Sequence, residues 1–282
     1  NQVDYGLTAG LHSLDRQEIE RWMDRVEAGN VYVNRSTVGA VVRRQPFGGW
    51  KKSAVGAGTK AGGPNYLIGL SDWRTTSATR AGQLTARMQK FLDHTTRFGL
   101  AGAAMEFLER SLESDAWCWE EEFGVARDVT GLEAEKNVLR YRPVPVTVRA
   151  EDDVTAALLR VVGAGVLAGS DVTVSTPEAL DTVVVEHLRS FGVACCIQDT
   201  GAWRTALRGN APERVRLLGG SRQTFAEASA GRADIALYAQ PVVEAGRVTF
   251  VASDAAIDDH VRLTPTPGHS PGHHAVVLGR KR

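Results

Sequence analysis

From Tyr141 onward the chain alternates short β-rich runs with amphipathic helical stretches, and this rhythm restricts the fold more than any other feature. Val144 to Val148, Asp171 to Ser175, Ala194 to Gln198 and Val215 to Leu218 carry the β-branched residues, while helical patterns over about 152–168, about 177–190 and from about 200 separate them. Parallel strands need such a helical crossover, with right-handed connections expected, so the fold class expected for this half is α/β with an open parallel sheet. No repeat of solenoid period and no low-complexity tract interrupts it.

Upstream the pattern is different. Residues 14–28 set Leu14, Ile19, Trp22, Met23 and Val26 on one helical face, and Gly29-Asn30 supplies a stop. Val31 to Val33 reads as a short strand, and the glycine-rich stretch 35–65 that follows has loop chemistry. Residues 80–122 carry one long helical pattern ending in an aromatic and acidic cluster, which predicts a helical connector. The 33 basic and 33 acidic side chains cancel, which argues against a global attraction to nucleic acid or an anionic surface. No apolar run reaches the ~20 residues of a spanning helix. Asn1-Gln2-Val3-Asp4 is neither an initiator Met nor a signal sequence, so a fragment is expected. Cys118, Cys195 and Cys196 make neither a disulfide framework nor a metal spacing, which fits a reducing, cytoplasmic setting.

Four motifs run in order through the first part: GLTAGLHS (6–13), GNVYVNR (29–35), TVGAVVRRQPFGGWKKS (37–53) and TKAGGPNYL (59–67). This series resembles the C-terminal end of an aldehyde dehydrogenase catalytic domain. The resemblance is narrowest to the pyrroline-5-carboxylate dehydrogenase branch, as in bifunctional proline utilization A proteins. It implies an NAD-dependent oxidation of L-glutamate γ-semialdehyde to glutamate in proline catabolism, with an FAD-dependent proline dehydrogenase upstream in the bifunctional proteins. It also implies that Gly39 and Ala40 anchor the substrate carboxylate and that Phe47, in the PFGG turn, packs along its aliphatic part. The physics agrees, because backbone N–H groups free of side chains can bind an anion. Taken without the resemblance, Gly39, Gly48 and Gly49 read as turn glycines and Phe47 as a core residue, and Arg43 and Arg44 read as a solvated basic pair.

Such a reaction needs a thiolate nucleophile, a general base and a dinucleotide site. In the family all three lie before GLTAG. No Cys precedes Cys118, which sits between Trp117 and Trp119 and reads as a packing residue. Glu121-Glu122-Phe123-Gly124 is similar to the family's cofactor-contacting EEIFGP motif but lies after PFGG and lacks the Pro, so the match is rejected. The isolated chain is therefore expected to be inactive, with no catalytic, cofactor-binding or metal residues of its own. Residues 168–180 and 214–230 resemble the family's cofactor-domain pattern, but Ser175 stands where that pattern has a ribose-binding Lys; only Gly220 and Ser221 of the phosphate turn remain. A degenerate, noncatalytic Rossmann-like domain follows. Residues 258–278 resemble a segment of metallo-β-lactamase-fold hydrolases in which His269 would be a zinc ligand, yet one ligand makes no site and the HxHxDH cluster is absent.

The expected organisation is thus residues 1–75 as the C-terminal part of an aldehyde dehydrogenase catalytic domain, 76–140 as helical connector, 141–257 as the Rossmann-like domain and 258–282 as an atypical tail, native or a frameshift or fusion product. The expected partners are a small-molecule substrate, the missing N-terminal catalytic region and a second copy in a homo-oligomer. Two other readings compete: a noncatalytic lid or oligomerisation module, and the remnant of a zinc hydrolase.

Overall fold

The computed structural model describes residues 1–41, 44–54, 60–64, 66, 80–152, 155–209, 212, 214–232, 235–238, 261–265 and 274–278. The chain forms two compact units, Asn1–Gly246 and Arg247–Arg282.

The first unit begins with a small βαβ piece. β1 (Tyr5–Gly6) is followed by β2 (Thr8–Leu11), α1 (Arg16–Arg25), β3 (Asn30–Val33) and β4 (Trp50–Lys51). β2 and β3 run parallel, with Thr8 opposite Asn30 and Leu11 opposite Val33, and β1 pairs antiparallel with β4. Asp15 caps α1 by accepting from the N–H groups of Gln17 (2.8 Å) and Glu18 (3.3 Å), so the helix starts where its sequence supplies a carboxylate for otherwise orphaned donors. Of the apolar face read from the sequence, Ile19, Trp22 and Met23 are only half-buried, and Leu14 falls before the helix and is exposed, a correction to its place on that face.

The long helical pattern over 80–122 resolves into two helices. α2 (Ala86–Thr95) is capped by Thr85, whose Oγ1 accepts from Met88 N at 3.3 Å. A tight turn over Thr96–Phe98 follows, and Gly99 at φ 65° then takes the left-handed conformation that ends the run. α3 (Gly102–Cys118) continues into a π-type turn over Trp119–Phe123, and β5 (Arg127–Asp128) pairs antiparallel with β6 (Val138–Leu139).

Then comes the alternation that the sequence announced: β7 (Val146–Ala150), α4 (Thr155–Ala168), β8 (Val172–Thr176), α5 (Thr182–Ser190), β9 (Ala194–Ile197), α6 (Thr200–Arg208), β10 (Arg214–Leu218), α7 (Arg222–Ala228) and β11 (Ala236–Tyr238). All five strands are parallel, in the order β11-β10-β7-β8-β9. The chain thus builds outward from β7 to one edge, returns, and builds outward to the other. This is doubly wound topology, with its switch point between β7 and β10.

The sheet is buried on both faces, as parallel sheets require. On one face Met88, Phe91 and Leu92 of α2 and Leu108 and Leu112 of α3 share a core with Leu158, Leu159 and Val162 of α4 and with Val148 and Val174 of the strands. On the other, Trp203 and Leu207 of α6 and Phe225 of α7 cover Val215 and Leu217 of β10. Each fully buried Leu or Phe contributes about 1.5–3 kcal/mol. The two helices of the expected connector are therefore part of the wall of the α/β layer. An ion pair clasps that wall: Arg160 of α4 donates through both terminal nitrogens to Asp115 of α3, and burial pushes the Asp115 carboxyl up despite the guanidinium beside it.

In the second unit β12 (Val261–Pro265) and β13 (His274–Leu278) form an antiparallel hairpin. No helix among the described residues is long and apolar enough to cross a membrane.

Candidate functional site

β3 ends at Val33, and the described residues 35–41 and 44–45 lie outside helix and strand before the PFGG turn. Gly39 sits at the tip with φ 83°, a left-handed value that disfavours any side chain, and both it and Ala40 are exposed. Among the described residues, neither the Gly39 nor the Ala40 N–H is engaged in a hydrogen bond. Two adjacent backbone donors without side chains can present themselves to an anion. Phe47, half-buried, is fixed by a pair of backbone hydrogen bonds with Ala61: Phe47 N donates to Ala61 O at 3.0 Å, and Ala61 N donates to Phe47 O at 2.8 Å. Arg43 lies outside the described residues, as do Asn65 and Leu67 of the GGPNYL motif.

The turn beneath the loop is braced by side chains that the sequence did not single out. Buried Asn30 donates to Pro46 O (3.1 Å) and accepts from Gly48 N (3.1 Å), spanning the PFGG turn with one amide. Lys60 donates to Gly29 O, to Gly48 O (2.7 Å) and to Asn30 Oδ1 (3.4 Å), and burial pushes its ammonium down to about 8. Gly29 is required by close approach: a Cβ there would fall 1.8 Å from Gly48 O. Asn30 and Lys60 look unremarkable in sequence because their partners are backbone atoms of distant turns. The available signal was their place inside the motifs GNVYVNR and TKAGGPNYL.

The basic pair read as solvated is only partly so, since Arg44 lies 3.7 Å from Glu135. Glu135 stands between β5 and β6, together with Asn137, and neither was picked from the sequence. Asp128 organises this hairpin by accepting from Thr130 Oγ1 (2.7 Å), Thr130 N (2.9 Å) and Asn137 N (3.1 Å), and these hydrogen bonds, the Thr130 hydroxyl foremost, hold its carboxyl down at about 2.

A second place to look is the switch point of the parallel sheet, where doubly wound proteins bind ligands. Here it is filled from within. Arg149, at the end of β7 and fully buried, donates to Glu151 (2.9 and 3.2 Å), Ser175 Oγ (2.9 Å) and Gln198 O (2.7 Å), with Trp203 beneath its guanidinium at 5.1 Å. Ser175 Oγ in turn donates to Gln198 Oε1 at 2.8 Å. Gly219 and Gly220 follow β10 at positive φ, but acidic side chains lie against them: a Cβ on Gly219 would come within 2.2 Å of Asp152 Oδ2, and one on Gly220 within 3.1 Å of Glu151 Cγ. Ser221 spends its hydroxyl as the N-cap of α7, accepting from Thr224 N at 3.1 Å. A dinucleotide's pyrophosphate would face two carboxylates, and its ribose would meet a buried arginine. The residues do not fit that cofactor.

His269 lies outside the described residues, and among the described residues no group of three or more His, Cys, Asp or Glu side chains could hold a metal. Among the described residues, Cys118, Cys195 and Cys196 form no disulfide.

Comparison with known proteins bears on residues 1–76, which match the aldehyde dehydrogenase family. Over 77 residues the chain is 47% identical to the 1-pyrroline-5-carboxylate dehydrogenase of Bacillus subtilis, covering 27% of this chain and 15% of that protein. Over 67 residues it is 51% identical to the bifunctional protein PutA of Rhizobium meliloti, covering 24% of this chain and 5% of that one. The chain thus spans about a seventh or less of the length of these two relatives. Among solved structures, proline utilization A from Corynebacterium freiburgense superposes with a TM-score of 0.65 at 32% identity, covering 86% of this chain and 21% of that one. That likeness reaches well past residue 76 and so takes in most of the α/β layer. Support for the metallo-β-lactamase resemblance of residues 258–278 is lacking, since the family match and the curated relatives concern the opposite end of the chain.

Proposed function

We propose that this chain is the C-terminal part of an NAD-dependent L-glutamate γ-semialdehyde dehydrogenase of proline catabolism, carrying its substrate-anchoring loop and an accessory domain. The observation that carries the reading is the match of residues 1–76, at 47–51% identity to two proline-catabolic relatives, on a segment whose exposed Gly39 and Ala40 offer two backbone donors unengaged among the described residues. On this reading the N–H groups of Gly39 and Ala40 hold the α-carboxylate of the semialdehyde, and Phe47 packs along its methylene groups. Asn30 and Lys60 keep the PFGG turn, and hence Phe47, in place.

These groups orient; they do not react. The nucleophile, the general base and the dinucleotide site belong to the upstream region, where bound NAD supplies the hydride acceptor. In the bifunctional form an FAD-dependent proline dehydrogenase would precede that region and supply the substrate. On this reading the doubly wound layer, whose described strands run from Val146–Ala150 to Ala236–Tyr238, is a degenerate Rossmann-like domain that holds no cofactor and is retained as a wall.

Replacing Ala40 with Phe in the dehydrogenase assembled with its upstream region should raise KM for the semialdehyde about tenfold or more while leaving kcat within about twofold, the pattern of lost ground-state and transition-state binding alike. An unchanged KM would remove Ala40 from the anchor.

A further inference from the structure

We infer that Glu135, on the hairpin between β5 and β6, is a positioning residue that holds the candidate anchor loop closed from the accessory half of the chain. The inference rests on the reading of Gly39 and Ala40 given under Proposed function, and adds to it the residue that fixes their loop.

One carboxylate engages both ends of the loop. Glu135 Oε2 accepts from Arg35 Nη1 at 3.0 Å, just after β3, and Oε1 lies 3.7 Å from Arg44 Nη1, just before the PFGG turn. A third tie runs alongside, from Gln45 Nε2 to Asn137 Oδ1 at 3.1 Å. The clamp is itself pre-set. Buried Asn137 donates to Glu135 Oε1 and to Thr130 Oγ1, both at 3.1 Å, and its backbone N–H is held by Asp128. Arg35 is aligned from its other side by the Tyr32 ring, 5.4 Å from the guanidinium.

The charge pattern requires a partner of this kind. Residues 35–45 (RSTVGAVVRRQ) contain three arginines and no carboxylate. Without Glu135, Arg35 and Arg44 would repel across the loop mouth, and either could compete for the substrate carboxylate with the backbone donors at the tip. Tying both ends also removes conformational freedom from the intervening residues, which lowers the ordering cost of binding. The ion pairs are only about half-buried, so each is a modest restraint, and the effect comes from acting at both ends together.

Two measurements test this. In the 282-residue chain, exchange of the hydrogen-bonded amides of Arg44 and Gln45, which donate to Val41 O at 3.1 and 2.9 Å, should speed up roughly fivefold in Glu135→Ala and less in Glu135→Gln, which can keep the Asn137 hydrogen bond. The exchanged pair Arg35→Glu/Glu135→Arg should recover part of the protection. Exchange unchanged in Glu135→Ala, with the rest of the chain still protected, would overturn the clamp. In the dehydrogenase assembled with its upstream region, Glu135→Ala should raise KM for glutamate γ-semialdehyde roughly fivefold and leave kcat/KM for propanal, which has no carboxylate, unchanged. Equal losses on both aldehydes would overturn the link to carboxylate recognition. If the unsubstituted enzyme fails to oxidise the semialdehyde, the reading of the loop as an anchor falls instead, while the exchange measurement still decides the clamp.

Discussion

His187 of α5 sits among Phe91, Phe98 and Phe191, with ring centroids 4.6–5.1 Å away, and among the described residues neither of its ring nitrogens has a hydrogen-bond partner. Burial, reinforced by His94 at 5.9 Å, pushes its imidazole down to about 4 from an ordinary 6.5. The unfolded chain therefore binds a proton between these values that the folded chain refuses. Stability from this residue is fully present above pH 6.5 and is lost as pH falls toward 4, by up to about 3 kcal/mol. Urea unfolding of His187→Phe between pH 7 and pH 4.5 should show a flatter pH dependence than the parent chain; parallel curves would mean that another group sets the acid limit. At this scale the sequence was legible in its four ordered motifs, which fall within the family match over residues 1–76. It was mute at Arg149, whose partners come from three other points along the chain, and at Glu135, about a hundred residues from Arg35. An isolated Arg in a β-run or Glu in a turn reads as a solvated charge until the tertiary fold brings its partner.

Helices and strands were easier to read than their arrangement. The strands expected at 144–148, 171–175, 194–198 and 215–218 occur at Val146–Ala150, Val172–Thr176, Ala194–Ile197 and Arg214–Leu218, because β-branched runs between helical patterns have few other ways to fold. The return of β10 to the side of β7 opposite β8 was not legible, since all the crossovers look alike along the chain. Nor was the break at Gly99, where one glycine in a helical pattern is ambiguous until its φ is known. The α3–α4 contact makes a clear prediction. Arg160→Met strips Asp115 of its counter-charge in a buried setting and should cost about 3 kcal/mol, whereas Asp115→Leu/Arg160→Met should recover most of that loss. Chemical denaturation of the two variants checks this, and a double variant no more stable than the single one would mean that the pair has little role in joining the helices.

For the molecule as a whole, the proposed function divides labour between two halves: a loop segment that recognises substrate and an α/β layer whose cofactor crevice is closed by its own Arg149 and flanked by Glu151 and Asp152. The 282-residue chain should accordingly neither reduce NAD in the presence of glutamate γ-semialdehyde nor bind NADH. Saturable enhancement of nicotinamide fluorescence on titration with the chain would contradict the closed crevice.

The end of α1 carries a consequence for how such a chain matures. Its last carbonyls are capped from far away: Arg140 donates to Met23 O at 2.6 Å, and Arg142 donates to Val26 O at 2.9 Å while lying 5.3 Å from the Trp50 ring. These ties join residues 116–117 positions apart. On a ribosome adding about 5–20 residues per second, α1 therefore waits roughly 6–23 s for its caps to emerge. During that interval its shallow apolar face has no finished seat, so this short helix stays open to nascent-chain chaperones and proteases until the two arginines have emerged.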